Sequence, residues 1–178
     1  MTSAYRNLLA VAAAAALLSA CSSKDKICPS ASPLAPDAVS LTAFKAGAPM
    51  DLSSALYNVQ VVKVNGDCSV DKAGHTVDSS VDISFRATRA PNGEAVDYAV
   101  PYFVAVAGSD GKIVAKYSYS VEFSFAPGQA SANFSDSVGS IVIKLGDKEQ
   151  PYSYDLYAGL QLTKEQLDYN RTLGRYAQ

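Results

Sequence analysis

Residues able to carry out chemistry are few in this sequence, and their spacing limits what they can do. The one histidine, His75, stands in the polar run Asp71-Lys72-Ala73-Gly74-His75, so imidazole acid-base work near neutral pH rests on it alone, and a lone loop histidine reads first as solvated. A serine nucleophile needs a strained turn and a nearby base, whereas Gly108-Ser109-Asp110-Gly111 reads as a hairpin turn. Met50 and His75 together do not make a soft-metal site, and Asp67, Asp71, Asp78 and Asp82 lack the spacing of a calcium loop. Phosphate-cradling and dinucleotide glycine motifs are missing. What remains is an aromatic group around a proline: Tyr98, Pro101, Tyr102 and Phe103. Its chemistry would be adhesive, a ledge for a ligand or a partner surface, with core packing at a sheet corner as the competing explanation. The expectation is a non-enzyme with no cofactor and no metal.

The whole chain has 178 residues, 48% apolar and 18% charged, with a formal net charge of -2. That supports one ordinary domain and excludes wholesale disorder. No basic stripe is present to neutralise a run of phosphates, so nucleic acid is not an expected partner.

The first twenty residues carry one cation, Arg6, ahead of an unbroken apolar run from Leu8 to Leu18 that ends in Ser19 and Ala20. This reads as a secretory signal over 1–20, because the run is too short to span roughly 30 Å of hydrocarbon. The junction Leu18-Ser19-Ala20-Cys21 resembles the lipobox of bacterial lipoproteins. That resemblance implies a diacylglycerol thioether on Cys21, usually with an N-acyl chain, and hence attachment to a membrane through acyl chains. The competing possibility is an ordinary cleaved signal with Cys21 left as a thiol or disulfide partner. Ser22 stands where an Asp would resemble an inner-membrane retention signal, so the implied address is the outer membrane, facing the periplasm.

With Cys21 given to lipid, Cys28 and Cys68 remain as a pair in an oxidising compartment, and a disulfide is their natural state. It closes a loop of about 41 residues, which on the chain-entropy argument contributes roughly 4 kcal/mol. A two-thiolate metal site is the other option, but companion ligands are missing. Residues 21–37, polar and proline-rich, read as the lipidated N-terminus and a linker, leaving about six residues between the acyl group and the globular body.

The body, 38–178, reads as strands. Between Val77 and Thr88 the odd positions Val77, Ser79, Val81, Ile83, Phe85 and Ala87 alternate with polar residues, a period of two. Lys112 to Phe125 repeats the pattern, and Tyr152, Tyr154, Leu156, Ala158, Leu160 and Leu162 line one face of a third strand. Further strands are expected at about Val39–Phe44, Leu56–Val64, Ala95–Ala107 and Ile141–Leu145. The separators are Asn65-Gly66-Asp67, Pro91-Asn92-Gly93, Ser109-Asp110-Gly111 and Pro127-Gly128. Within Ala95–Ala107 both faces are apolar while Pro101 cannot donate to a ladder, so a bulge or a switch between sheets is expected there. The tyrosines at 117, 119, 152 and 154 fall on core faces; Tyr57, Tyr157, Tyr169 and Tyr176 are the expected exposed ones. Thr163-Lys164-Glu165-Gln166 has the form of a capping box that opens a short helix to about Leu173, with Gly174 as its C-terminal cap. The sum is a mainly β domain, an antiparallel immunoglobulin-like sandwich with a short C-terminal helix; a small β-barrel is the alternative.

Two stretches, Pro101-Tyr102-Phe103-Val104-Ala105-Val106 and Leu162-Thr163-Lys164-Glu165-Gln166-Leu167-Asp168-Tyr169-Asn170-Arg171, are similar to segments of small alphaproteobacterial lipoproteins that carry no assigned activity. The resemblance implies an envelope address and transfers no site residue. The expected role is therefore a lipid-anchored structural or protein-interaction module with an envelope protein as partner. The rival is a periplasmic binding module for a glycan, a lipid or a small ligand.

Overall fold

Alternation decides the architecture. In the computed structural model, which describes residues 28–176 apart from Gly74 and Asn92, the odd residues from Val77 to Ala87 all point inward and are buried. The signal segment and Cys21 lie outside the described residues. Eight strands form: β1 Ser30–Pro33, β2 Ser40–Phe44, β3 Ala55–Asp71, β4 Thr76–Thr88, β5 Val96–Ala107, β6 Ile113–Phe125, β7 Ser131–Lys144 and β8 Asp155–Leu160, followed by a helix, α1, over Lys164–Tyr176. They make two four-stranded sheets, ordered β1-β8-β5-β6 and β2-β3-β4-β7, which face each other as a sandwich and do not close into a barrel. The pairings are antiparallel except for β1, which runs parallel to β8.

The core lies between the sheets. Val59, Val81, Ile83 and Phe85 from one sheet meet Val100, Tyr102, Val104, Leu156 and Leu160 from the other. Each such aliphatic or aromatic side chain stabilises the fold by roughly 1.5–3 kcal/mol relative to exposure. The capping box forms as expected: the Thr163 backbone N–H donates to Gln166 Oε1 at 2.9 Å, and the Gln166 N–H donates to Thr163 Oγ1 at 3.2 Å. The helix then runs through Gly174, which does not cap it.

Three expectations need correction. The stretch read as a linker contributes β1, and the Cys28–Cys68 disulfide ties its start to β3. Asn65-Gly66-Asp67 is no turn but the middle of β3, which continues to Asp71. Gly66 is there for close approach: a Cβ on it would lie 2.8 Å from the Ala31 Cβ, where β1 crosses β3. At Pro101, β5 neither bulges nor changes sheet. The Pro101 carbonyl accepts from the Gln161 N–H at 2.9 Å, on the β8 side, so its donor-less nitrogen also faces that side, just past the end of β8. The ladder to β6 loses nothing.

Replacing Cys28 and Cys68 together by Ser should lower the stability of the folded chain by about 4 kcal/mol, the chain-entropy value for a loop of this length. Urea unfolding of the two proteins checks this. A difference near zero would mean that β1–β8 pairing already holds the N-terminal strand without the bond.

Candidate functional site

Alternation along β5 separates the aromatic group that the sequence brought together. Tyr98 and Tyr102 point into the sandwich, while Pro101 and Phe103 lie on the outer face of the same strand. Tyr102 is buried, stacks on Tyr119 at 5.4 Å between ring centroids and meets Phe85 edge-on at 5.4 Å. Its hydroxyl donates to Asp136 Oδ2 at 2.8 Å, which satisfies the one polar atom the ring carries into the core. Burial first and the carboxylate second push that phenol far above its ordinary pKa. Tyr98 packs on Tyr57 at 4.2 Å and tilts against Phe123 at 5.7 Å. Outside, Phe103 is covered by Ala38 and Leu34, with Lys116 Nζ 4.2 Å from its ring centroid. Gly159 makes room for it, since an added Cβ would stand 2.8 Å from Phe103 Cζ. Four residues expected to form one ledge thus serve two packing layers.

The tyrosine expectations divide as well. Tyr154 is buried and Tyr119 half-buried, but Tyr152 is 61% exposed because it falls in a 3-10 turn, Pro151–Ser153, before β8 begins. Tyr117, on the same strand as Tyr119, is 37% exposed. Tyr57 is half-buried, packed in the aromatic row with Tyr98 and Phe123, and Tyr169 is half-buried edge-on against Phe44 at 5.0 Å. Tyr157 is half-buried too, and the side chain of Tyr176 lies outside the described residues.

The sparse chemical groups sit in turns. His75 is exposed at the β3–β4 connection, in the left-handed region at φ 50°. Ser109 lies in the β5–β6 hairpin, where Asp110 Oδ1 accepts the Lys112 N–H at 3.0 Å and the Gly111 N–H donates to the Gly108 carbonyl at 2.9 Å, the expected turn. Among the described residues no group of three or more His, Cys, Asp or Glu converges as a metal site, and no helix is long and apolar enough to cross a membrane. The surface hollows are open to solvent. One of about 520 Å³ is lined by Asp97, Tyr98, Glu122 and Phe123. Another, of about 310 Å³, lies over Asp67, Ser69, Asp78 and Ser80 on the outer face of β3 and β4. Beneath it Ser79 turns the other way, into the core, where its Oγ has no hydrogen-bond partner.

The feature that sequence reasoning missed is an edge. The sandwich has two short outer strands, β1 and β2, and two long ones, β6 and β7. The short side is closed. Asn170 Nδ2 donates to the Ser40 carbonyl at 2.6 Å and Gln166 Nε2 to the Thr42 carbonyl at 3.4 Å, so α1 covers the free edge of β2. Among the described residues the long side carries no such cover. Along β7 a register shift between Ser79 and Val81 of its neighbour, with Ser140 at φ 59°, interrupts the line. β6 stays straight from Ala115 to Phe125.

Pro101 fixes which atoms of β6 are free. It stands opposite Ser120, and because its carbonyl turns toward β8, the pair is one that exchanges no hydrogen bonds across β5–β6. The N–H and C=O of Ser120 therefore point outward from the sheet. By the period of two, so do those of Lys116, Ser118, Glu122 and Ser124. The proline was the available signal, though its meaning depends on strand order. Compared with protein-family models, with curated proteins and with solved structures, the chain matches none.

Two expected outcomes follow. Replacing Ser79 by Ala removes a buried hydroxyl without a partner, and should raise unfolding stability by about 1 kcal/mol; a loss would show that the hydroxyl is satisfied in solution. Tyr154 donates to Glu149, and that bond first, then burial, pushes its phenol up to about 12. The folded chain thus holds the Tyr154 and Tyr102 protons more tightly than the unfolded one, so their stabilisation is complete below about pH 10; the Tyr154 part is lost as the pH rises through about 12, and the Tyr102 part only at still higher pH. Thermal melting across that window should show a steep decline that Tyr154→Phe makes shallower, and superimposable profiles would refute the assignment.

Proposed function

We propose that this chain is an outer-membrane lipoprotein, held by acyl chains on Cys21 and facing the periplasm, whose sandwich is a non-enzymatic structural or protein-interaction module for an envelope protein. Its scaffold is immunoglobulin-like in the broad sense of two facing sheets, with a strand order of its own. One observation carries the reading: a long edge strand, β6, regular from Ala115 to Phe125 and left open among the described residues beside a filled core. An exposed edge of this kind adds a partner strand through main-chain hydrogen bonds, with side-chain contacts supplying specificity. Ile113 and Val114, 54% and 60% exposed, put apolar surface at one end of it.

The periplasmic ligand-binding alternative has the hollow beside Tyr98 in its favour. That hollow is open, and Tyr98 and Phe123 in it also pack against each other as part of the aromatic row. Preformed small-molecule sites instead bury most of their ligand.

The test is photo-crosslinking in living cells from probes at Ser118 and Ser120, with Gln60 on the outer face of β3 as the control. Protein adducts from the edge probes and not from Gln60 are expected, and Ser118→Pro, which removes an outward N–H and spares the β5–β6 ladder, should abolish the adduct formed at Ser120. Cys21→Ser should release the chain from the membrane fraction and end incorporation of a labelled fatty acid. Equal capture at edge and control, or membrane attachment that survives the loss of Cys21, would sink the corresponding half of the proposal.

A further inference from the structure

The outward groups of β6 and the side chains beside them are complementary to themselves. Lys116, Ser118, Ser120, Glu122 and Ser124 share the outer face of the strand, and its two charges are Glu122 and Lys116, whose exposed ammonium donates to Gln161 Oε1 at 2.8 Å across β5 and turns to the edge when a partner strand pairs there. When a second β6 is laid antiparallel along this edge, outward-facing residues must meet outward-facing residues for the hydrogen bonds to form. Several registers satisfy that condition, and they differ in which side chains stand opposite. With Tyr119 at the two-fold axis, Lys116 of each copy faces Glu122 of the other, and Ser118 faces Ser120. Tyr119 meets Tyr119 on the inner face, where Tyr117, 37% exposed, lies opposite Val121. Moving the axis by one residue in either direction keeps the hydrogen-bond phase, but sets both charges against serine or aliphatic residues.

We infer that the occupant of the β6 edge is a second copy of this chain, paired antiparallel about Tyr119 so that the β1-β8-β5-β6 sheets of the two copies become continuous. This rests on the reading of β6 as a docking edge and names its partner. The symmetry is isologous: each charged pair occurs twice, and the contact closes on itself without leading to fibres. The bulge between Val106 and Ala107, which displaces Val114 from the ladder, and the Pro127-Gly128 turn bound the paired length. Within it Lys116 and Glu122 favour this register over the neighbouring ones, because only here does each charge stand directly opposite its complement.

The register makes an unusual demand on charge reversal, and that demand is the test. Two differently tagged full-length chains are co-expressed, extracted from the envelope in mild detergent and recovered through one tag. Wild-type chains should recover each other. Lys116→Glu chains should not recover Lys116→Glu chains, nor Glu122→Lys chains their own kind, each falling by about tenfold or more as two attractions become two repulsions. A Lys116→Glu chain with a Glu122→Lys chain should pair as well as wild type, because both facing positions are again opposite in sign. Recovery that ignores all three combinations, or a mixed pair as weak as the single reversals, overturns the register. If the Ser120 probe captures a different protein and tagged copies never recover each other, the second copy is wrong while the docking edge stands. If the edge probes capture nothing beyond the control, both fall.

Discussion

Packing two sheets face to face buries their faces and cannot bury their outer strands, and the organisation of this molecule answers that constraint strand by strand. The inner faces are made by alternation: Val81, Ile83 and Phe85 against Val100, Tyr102 and Val104. Between them runs an aromatic row in which Phe85, Phe134 and Phe123 stack at 5.2 Å and 4.6 Å. With tryptophan absent from the sequence, phenylalanine and tyrosine supply the bulk that fills the gap between the sheets. Tyr102 can join because Asp136 accepts its hydroxyl from the facing sheet.

On one side of the sandwich the outer strands are short and secured. β1 has four residues, crosses β3 closely enough that Gly66 must lack a side chain beyond hydrogen, and is tied down by Cys28–Cys68. β2 surrenders its free carbonyls to Gln166 and Asn170, and an ion pair between Arg171 and Asp37 at 3.2 Å lies along the same seam. That exposed pair adds little stability by itself, so the helix is held mainly by Tyr169 against Phe44 and by the amide hydrogen bonds. The C-terminal helix thus serves as the cover of an edge.

The sequence was legible wherever one face stayed in phase. In β4 every expected inward residue is buried, and Ser79 keeps its place at the cost of an unmet hydroxyl. Phase is lost in β3, where a register shift between Val61 and Lys63 turns Val62 outward and moves the inward positions from odd to even numbers. After that shift the Asn-Gly pair resembled a turn because the approach of β1, the reason for the glycine, is a contact distant in sequence. The first half of β7 was hidden for a related reason: its inward positions are Ala132, Phe134, Asp136 and Val138, and the carboxylate among them makes sense only once Tyr102 stands opposite. The aromatic group around Pro101 was visible but misassigned, since residues adjacent in sequence on a strand serve opposite faces. Edge exposure was beyond reach, because it depends on strand order, which periodicity does not encode.

An anchor at Cys21 and a paired β6 edge, both as proposed above, would together constrain how the molecule sits on a membrane. Ser30, Asp155 and Ala107 stand in line across the sheet, so Cys28 leaves the sandwich at the same end as the β5–β6 hairpin. In an antiparallel pair the two such ends point in opposite directions along the strands. With the proposed anchor, tethers of about six residues, roughly 20–25 Å when extended, would reach one bilayer from both ends only if the strands lay along the membrane plane. Standing upright, one copy would have to bridge the length of β6, roughly 40 Å at about 3.3 Å per residue, with a chain half that long. The short tether that the lipobox resemblance implies and the self-complementary edge proposed from Lys116 and Glu122 would therefore together require one posture, with the outer strands parallel to the bilayer and the continuous sheet spread across its surface.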